Sequence, residues 1–220
     1  MNEVIALSGK PGAGKGTRLA RFLRGREDKY VVLSAGNILR KEVAEGTQLG
    51  MQAKSYMDAG LLVPDELIIN MIFEQIKNVD DGKTIILDAF PRTVKQAKAA
   101  LESGINITKD IDIFVPDEVV LERARNRIVC VECGETYTLN EYKKPKHEGF
   151  CDKCGGELHR RSDDAPEVVK KRLETYRDQT FPVVEVLGKM GVDIWHIYAD
   201  EASDLSIQFE FERAMLSESR

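Results

Sequence analysis

The chain has 220 residues, of which 42% are hydrophobic and 31% charged, a composition typical of a folded globular protein and unlike that of a disordered one. Its formal net charge of −5 disfavours unspecific binding to nucleic acids or to anionic membranes. No apolar run is long enough to span a membrane and no basic-then-apolar leader is visible, so we expect a cytoplasmic protein. The length of the chain predicts one compact unit.

Five short β-branched or aliphatic runs alternate with longer segments of helical spacing. The runs are residues 4–7, 30–33, 84–87, 111–115 and 192–198. This alternation predicts βα units around a parallel sheet that helices cover on both faces. Two segments interrupt it: 34–63 holds two predicted helices where one would suffice, and 126–164 is largely polar and turn-rich. We expect both to be insertions into a single domain, whose core comprises 1–33, 64–125 and 165–220.

A glycine-rich loop follows the first predicted strand. Its sequence is Gly9-Lys10-Pro11-Gly12-Ala13-Gly14-Lys15-Gly16-Thr17, and a helix-compatible run comes next, which is the setting of a phosphate-binding loop. The glycines let several backbone N–H groups point at one anion, and Lys15 adds a positive charge. Gly16 stands where most such loops have the Ser or Thr that binds Mg²⁺, and the hydroxyl residue Thr17 comes one position later.

Several arginines lie on predicted loops and helix ends. They are Arg40, Arg92, Arg123, Arg127, Arg161 and Arg172. Planar guanidinium groups bind phosphates bidentately, and a reaction between two nucleotides brings several phosphate charges together. Arg92 follows Phe90-Pro91 directly after a predicted buried strand, which favours a functional role over a solvated surface position. Asp88 ends that strand, where a carboxylate can hold Mg²⁺ or its waters, or cap a turn.

All four cysteines lie in two close pairs. Cys130 and Cys133 are separated from Cys151 and Cys154 by seventeen residues. Two C-x2-C pairs at this distance predict a closed, structural zinc site with four thiolate ligands. Two disulfides are the alternative, which a reducing compartment disfavours.

The glycine-rich loop and the blocks after it resemble the long form of the adenylate kinases, a family of nucleoside monophosphate kinases. The matching blocks are 33–40, 60–66, 87–97, 123–127, 161–164 and 171–173, in family order over nearly the whole chain. The resemblance implies a three-layer P-loop kinase core with a parallel sheet of about five strands, a monophosphate-binding insertion and a zinc-binding lid over ATP. It also implies reversible phosphoryl transfer from MgATP to AMP, giving two ADP.

The same resemblance implies a role for each group of site residues. The residues expected to contact ATP are Gly12, Ala13, Gly14, Lys15, Gly16, Thr17, Arg123, Arg127, Thr136 and Tyr137. Those expected to contact AMP are Ala35, Arg40, Leu61, Leu62, Val63, Ala89, Phe90, Pro91, Arg92, Gln96, Arg161 and Arg172. The expected catalytic residues are Lys15, Arg92, Arg127, Arg161 and Arg172. Asp88, Asp163 and Asp164 are expected to associate with Mg²⁺, although Asp163 and Asp164 would serve equally well as N-caps of the next helix.

Three residues of the expected acceptor site depart from the family pattern, because Ala35, Asn37 and Ala89 stand where Thr, Asp and Gly are usual. Ala35 resembles the uridylate–cytidylate kinases, whereas Gln96 matches the residue that reads adenine. We therefore expect AMP as the acceptor, with UMP or CMP as the alternative. A zinc-ribbon nucleic-acid binder is a remote alternative, because residues 130–154 carry four lysines against five acids and form no basic stripe. Nothing in the sequence requires an oligomer, so we expect a monomer.

Overall fold

The computed structural model describes residues 2–139, 143–199 and 204–218. Its strands are β1 (Val4–Gly9), β2 (Tyr30–Ser34), β3 (Thr84–Asp88), β4 (Ile107–Phe114), β5 (Arg127–Cys130), β6 (Thr136–Thr138), β7 (Leu158–His159) and β8 (Asp193–Tyr198). Its α-helices are α1 (Lys15–Phe22), α2 (Ala35–Glu45), α3 (Gln48–Asp58), α4 (Asp65–Lys77), α5 (Val94–Glu102), α6 (Asp117–Asn126), α7 (Pro166–Thr175), α8 (Phe181–Lys189) and α9 (Asp204–Leu216). A 3₁₀ turn at Ser162–Asp164 precedes α7, and a π-helical turn at Tyr176–Thr180 joins α7 to α8.

The five predicted runs form one parallel sheet in the order β2-β3-β1-β4-β8. Every residue of β1 is buried, because helices cover both faces of the sheet. Ala6 and Leu87 belong to the apolar cluster on one face, and Leu7 and Ile111 belong to the cluster on the other. The predicted three-layer α/β core is confirmed.

Strand β4 begins at Ile107, earlier than the sequence predicts. Its first half contains Lys109 and Asp110, two charged residues that are fully buried and interrupt the apolar pattern. Each is paired with a distant partner. Lys109 Nζ donates a hydrogen bond to the carbonyl oxygen of Ala214 in α9 (2.8 Å), and Ser8 Oγ donates to Asp110 Oδ1 (2.8 Å). These partners lower the cost of burying the two side chains, so the strand can run through residues that interrupt its apolar pattern.

A second, smaller sheet lies in residues 126–164, the segment we call the lid. Strand β5 pairs antiparallel with β6 on one side and with β7 on the other. Ile128, Tyr137 and Leu158 pack with two of the cysteines into a small core of the lid's own. The 34–63 segment contains α2 and α3, which pack against each other. Over the described parts of the chain, no helix is long and apolar enough to cross a membrane.

Candidate active site

A cleft of about 780 Å³ lies at the carboxyl ends of β1, β2 and β3. Its walls come from the glycine-rich loop, the 34–63 segment, the lid and α7, so it gathers residues that lie far apart in the sequence. A volume of this size is typical of sites for cofactors and substrates. All residues predicted for the nucleotide and Mg²⁺ sites line the cleft except Phe90, Tyr137 and Asp164.

The glycine-rich loop connects β1 to α1, as predicted. Gly9 and Gly14 have φ of 123° and 94°, in a region that residues with a side chain rarely adopt. A Cβ on Gly9 would lie 2.4 Å from the carbonyl oxygen of Ile113, so no larger residue fits there. Gly14 is the N-cap of α1, and the first residues of that helix line the cleft. A phosphate in the cleft would therefore meet a helix N-terminus.

Lys15 is buried at the centre of this loop, with 8% of its surface exposed. Its Nζ donates hydrogen bonds to the carbonyl oxygens of Gly9 (2.8 Å) and Lys10 (3.0 Å). Burial lowers the pKa of Lys15 to about 8; Asp88 opposes the shift and Arg92 adds to it. An anion bound beside the ammonium group would favour its protonated form.

Arginines from four separate segments line the same cleft: Arg40, Arg92, Arg161 and Arg172. Burial lowers the pKa of Arg92 to about 10 and that of Arg161 to about 9, and neighbouring guanidinium groups contribute to both shifts. Arg161 Nε is buried without a hydrogen-bond partner among the described residues. Mutually repelling cations with an unpaired donor form a site suited to a polyanion such as a nucleotide phosphate.

Asp163 and Asp164 lie before α7 and pair with arginines. Arg172 donates to Asp163 Oδ2 at 2.7 Å, and Arg127 donates two hydrogen bonds to Asp164, one of them from Nε at 2.8 Å. Burial would raise the pKa of Asp163, but Arg172 and Arg40 hold it below its ordinary value. Helix α7 has no side-chain cap, so the alternative that these two residues serve as N-caps is wrong.

Gln96 lies at the wall of the cleft with 2% of its surface exposed. Its Oε1 accepts a hydrogen bond from the backbone N–H of Arg92 (2.7 Å), and its Nε2 donates one to Asp65 Oδ1 (2.8 Å). Ala89, also at the wall, has φ of 61° and is the non-glycine residue with positive φ in the described chain. The sequence predicts no site role for Asp65, because its hydrogen-bond partner Gln96 lies on another helix.

The four cysteines are free thiols gathered in the lid. The Sγ atoms of Cys130 and Cys154 are 3.4 Å apart, those of Cys133 and Cys151 are 3.6 Å apart, and all four lie within 4.8 Å of one another. A tetrahedral zinc ion with Zn–S bonds of about 2.3 Å separates its sulfur ligands by roughly 3.8 Å. The cluster therefore fits a structural zinc ion, whereas disulfide bonding would need S–S distances of about 2.05 Å.

The adenylate kinase family model matches residues 7–192 of the chain. The chain belongs to the adenylate kinase family. The adenylate kinases of Caldicellulosiruptor saccharolyticus and Clostridioides difficile are each 43% identical to it, over 91% of this chain and 94% and 93% of theirs. That of Carboxydothermus hydrogenoformans is also 43% identical, over 86% of this chain and 88% of its own.

The family membership confirms the predicted phosphotransferase, and nothing in these comparisons favours the uridylate–cytidylate kinase alternative. The two aromatic residues predicted for the nucleotide sites, Phe90 and Tyr137, do not line the cleft. Phe90 is 1% exposed and belongs to the core. The Tyr137 hydroxyl lies 3.4 Å from Cys151 Sγ inside the lid, and it accepts a hydrogen bond from the backbone N–H of Asp152. The Tyr137 side chain thus supports the cysteine cluster, whereas its neighbour Thr136 lines the cleft.

Proposed function

We propose that this cleft performs the adenylate kinase reaction, the reversible transfer of a phosphoryl group from MgATP to AMP, with the donor on the glycine-rich loop and the acceptor among the arginines. The observation that supports this proposal is that Lys15 lines one cleft together with Arg40, Arg92, Arg161 and Arg172. Phosphoryl transfer needs little covalent assistance, so positioning and charge neutralisation supply most of the catalysis.

On the donor side, the backbone N–H groups of residues 12–17 and the Lys15 ammonium group hold the ATP phosphates. Arg123 supports this loop from α6, because its guanidinium group donates to the carbonyl oxygens of Gly12 (3.2 Å) and Ala13 (3.1 Å). Arg127 and Thr136 line the cleft from the lid. Closure of the lid would bring them onto the nucleotide and exclude water, which would otherwise accept the phosphoryl group.

On the acceptor side, Arg40 and Arg92 hold the AMP phosphate, and Ala35, Ala89 and Gln96 face its base. Apolar surface of the wall comes from Leu61, Leu62, Val63 and Pro91. Arg161 and Arg172 lie between the two phosphate sites and neutralise the charge that spreads over the transferring group. Asp163 holds the Arg172 guanidinium in place before the substrates bind, so little reorganisation is needed.

Mg²⁺ enters as part of the MgATP substrate and neutralises phosphate charge. Asp88 fits the ion, because it is a carboxylate at the end of β3, at the cleft wall, with Ser34 Oγ donating to its Oδ2 at 2.8 Å. Asp163 and Asp164 are engaged by arginines, so Asp88 is the carboxylate we assign to Mg²⁺ or its waters. The zinc ion of the lid is structural and takes no part in the transfer.

We further propose that the division into a core and two insertions, expected from the sequence, operates in this reaction. The core of 1–33, 64–125 and 165–220 stays fixed, while the 34–63 segment and the lid close over the two nucleotides. One chain supplies both sites, so a monomer suffices. Binding to nucleic acids or membranes has no role, and four reduced cysteines suit a cytoplasmic enzyme.

The assignment is tested with Lys15→Met and Arg92→Ala, and with Arg160→Ala as an exposed control beside Arg161. Loss of charged hydrogen bonds worth about 1.5–3 kcal/mol should lower activity roughly 10- to 100-fold in both site variants. Lys15→Met should weaken ATP binding, Arg92→Ala should raise the Michaelis constant for AMP, and Arg160→Ala should change neither. The assignment fails if Arg92→Ala keeps turnover and acceptor affinity within about twofold of the parent.

A further inference from the structure

We infer that Asp65 determines acceptor specificity by holding the Gln96 amide in a single orientation, so that the cleft accepts adenine and rejects a base with the reversed hydrogen-bond pattern. The inference rests on the proposed function, since it takes Gln96 as the residue that faces the base of the acceptor. Asp65 itself does not line the cleft, so it acts as a positioning residue.

Two bonds of opposite kind fix the amide. Gln96 Oε1 faces the backbone N–H of Arg92, which can only donate, and Gln96 Nε2 faces the Asp65 carboxylate, which can only accept. A half-turn of the amide would set Nε2 against the Arg92 N–H and Oε1 against the carboxylate. Both contacts would then be repulsive, so the two partners together impose one orientation.

Asp65 is itself held in place. Thr93 Oγ1 donates to the same oxygen, Asp65 Oδ1, at 2.9 Å, and also accepts from the backbone N–H of Gln96 at 3.1 Å as the N-cap of α5. Asp65 stands in the first turn of α4, just after the 34–63 segment, whereas Thr93 and Gln96 belong to the start of α5. The three side chains therefore join two helix starts that border the acceptor side of the cleft.

The orientation matters because an amide still has one N–H and one oxygen lone pair to offer after these bonds. Adenine presents an acceptor at N1 beside a donor at its amino group, which an oriented amide can match. Hypoxanthine has nearly the same size and shape but presents a donor at N1 beside an acceptor oxygen. It would need the amide turned round, which Asp65 and the Arg92 N–H oppose.

The test compares AMP with IMP, the monophosphate of hypoxanthine, as acceptors of phosphate from MgATP. The variant is Asp65→Asn, which keeps the size of the side chain but supplies both a donor and an acceptor and so no longer selects the amide orientation. Glu66→Gln is the matched control, because it removes the same charge from the same helix turn while its partner is the exposed Lys95.

We expect Asp65→Asn to raise the ratio of kcat/KM for IMP to kcat/KM for AMP by about tenfold, the effect of one orienting hydrogen bond. The Michaelis constant for ATP should not change, and Glu66→Gln should leave the ratio unaltered. A purely structural role would lower activity with both acceptors alike, and an unaltered ratio in Asp65→Asn overturns the inference. Urea unfolding of both variants shows whether the helices are intact.

Gln96→Leu separates this inference from the proposed function. If Gln96→Leu impairs AMP use while Asp65→Asn leaves the ratio unaltered, Gln96 reads the base but Asp65 does not orient it, and only the inference fails. If Gln96→Leu leaves AMP use unchanged, the assignment of Gln96 in the proposed function is wrong, and the inference falls with it.

Discussion

The lid should depend on zinc more than on its own apolar core, and Cys151→Ser tests this. Three large apolar side chains fill that core, Ile128, Tyr137 and Leu158. Burial of a side chain of this size contributes about 1.5–3 kcal/mol, which gives roughly 5–9 kcal/mol for the three. A structural zinc ion contributes about 10–16 kcal/mol of apparent binding free energy at neutral pH. The metal is therefore the larger of the two contributions.

Loss of the Cys151 thiolate should open the lid locally and leave the parallel sheet intact. Changing a residue that only supports a metal ligand costs about 10- to 100-fold in metal affinity, so losing a ligand should cost at least about 100-fold. Amide hydrogen exchange should accordingly become at least about 100-fold faster in β5, β6 and β7 but not in β1 or β4. Metal analysis of the parent should find one zinc per chain.

The matched control is Glu132→Gln, an exposed residue between the first two cysteines that is not a ligand. It should leave zinc content and lid protection unchanged. The reasoning is refuted if parent protein purified without chelator contains no zinc, or if Cys151→Ser keeps the lid as protected as in the parent.

Two further predictions concern the glycine-rich loop. Gly9→Ala should abolish ATP binding in calorimetry, because its Cβ would lie 2.4 Å from the Ile113 carbonyl oxygen. The control Gly16→Ala has no atom within 4 Å of its Cβ and should be as stable as the parent in urea unfolding. Equal ATP affinity in Gly9→Ala and the parent would contradict this. The pKa of Lys15 is lowered to about 8 in the free enzyme, so its ammonium group is present below that pH and lost above it. The Kd for ATP should therefore rise as the pH increases from 7 to 9.5. A Kd that does not change with pH would show that Lys15 keeps its proton.

The sequence predicts most of the fold because its signals are local. Each strand of the parallel sheet is a short apolar run, and the glycine-rich loop and the cysteine pairs are continuous motifs. The start of β4 was not predicted because Lys109 and Asp110 are buried titratable residues, and their partners are more than a hundred residues away along the chain. Apolar periodicity in the sequence does not indicate such long-range pairs.

In the candidate site too, the local motifs are predictable from the sequence and the tertiary contacts are not. The arginines could be named from their motifs, but the sequence does not show which acid each would meet. Asp163 and Asp164 fit helix caps equally well by local pattern, and only the tertiary structure brings them to Arg172 and Arg127. The orientation of the Gln96 amide likewise depends on a residue of another helix.

The order of the strands has a consequence for the kinetics of the enzyme. The glycine-rich loop follows the central strand β1, the 34–63 segment follows β2 on one side of it, and the lid follows α6 after β4 on the other. In the proposed reaction, different segments hold the donor and the acceptor, so the cleft can hold both nucleotides at once. We expect such an enzyme to form a ternary complex and to follow a sequential rather than a ping-pong scheme, with no phosphorylated side chain carrying the group between its two substrates.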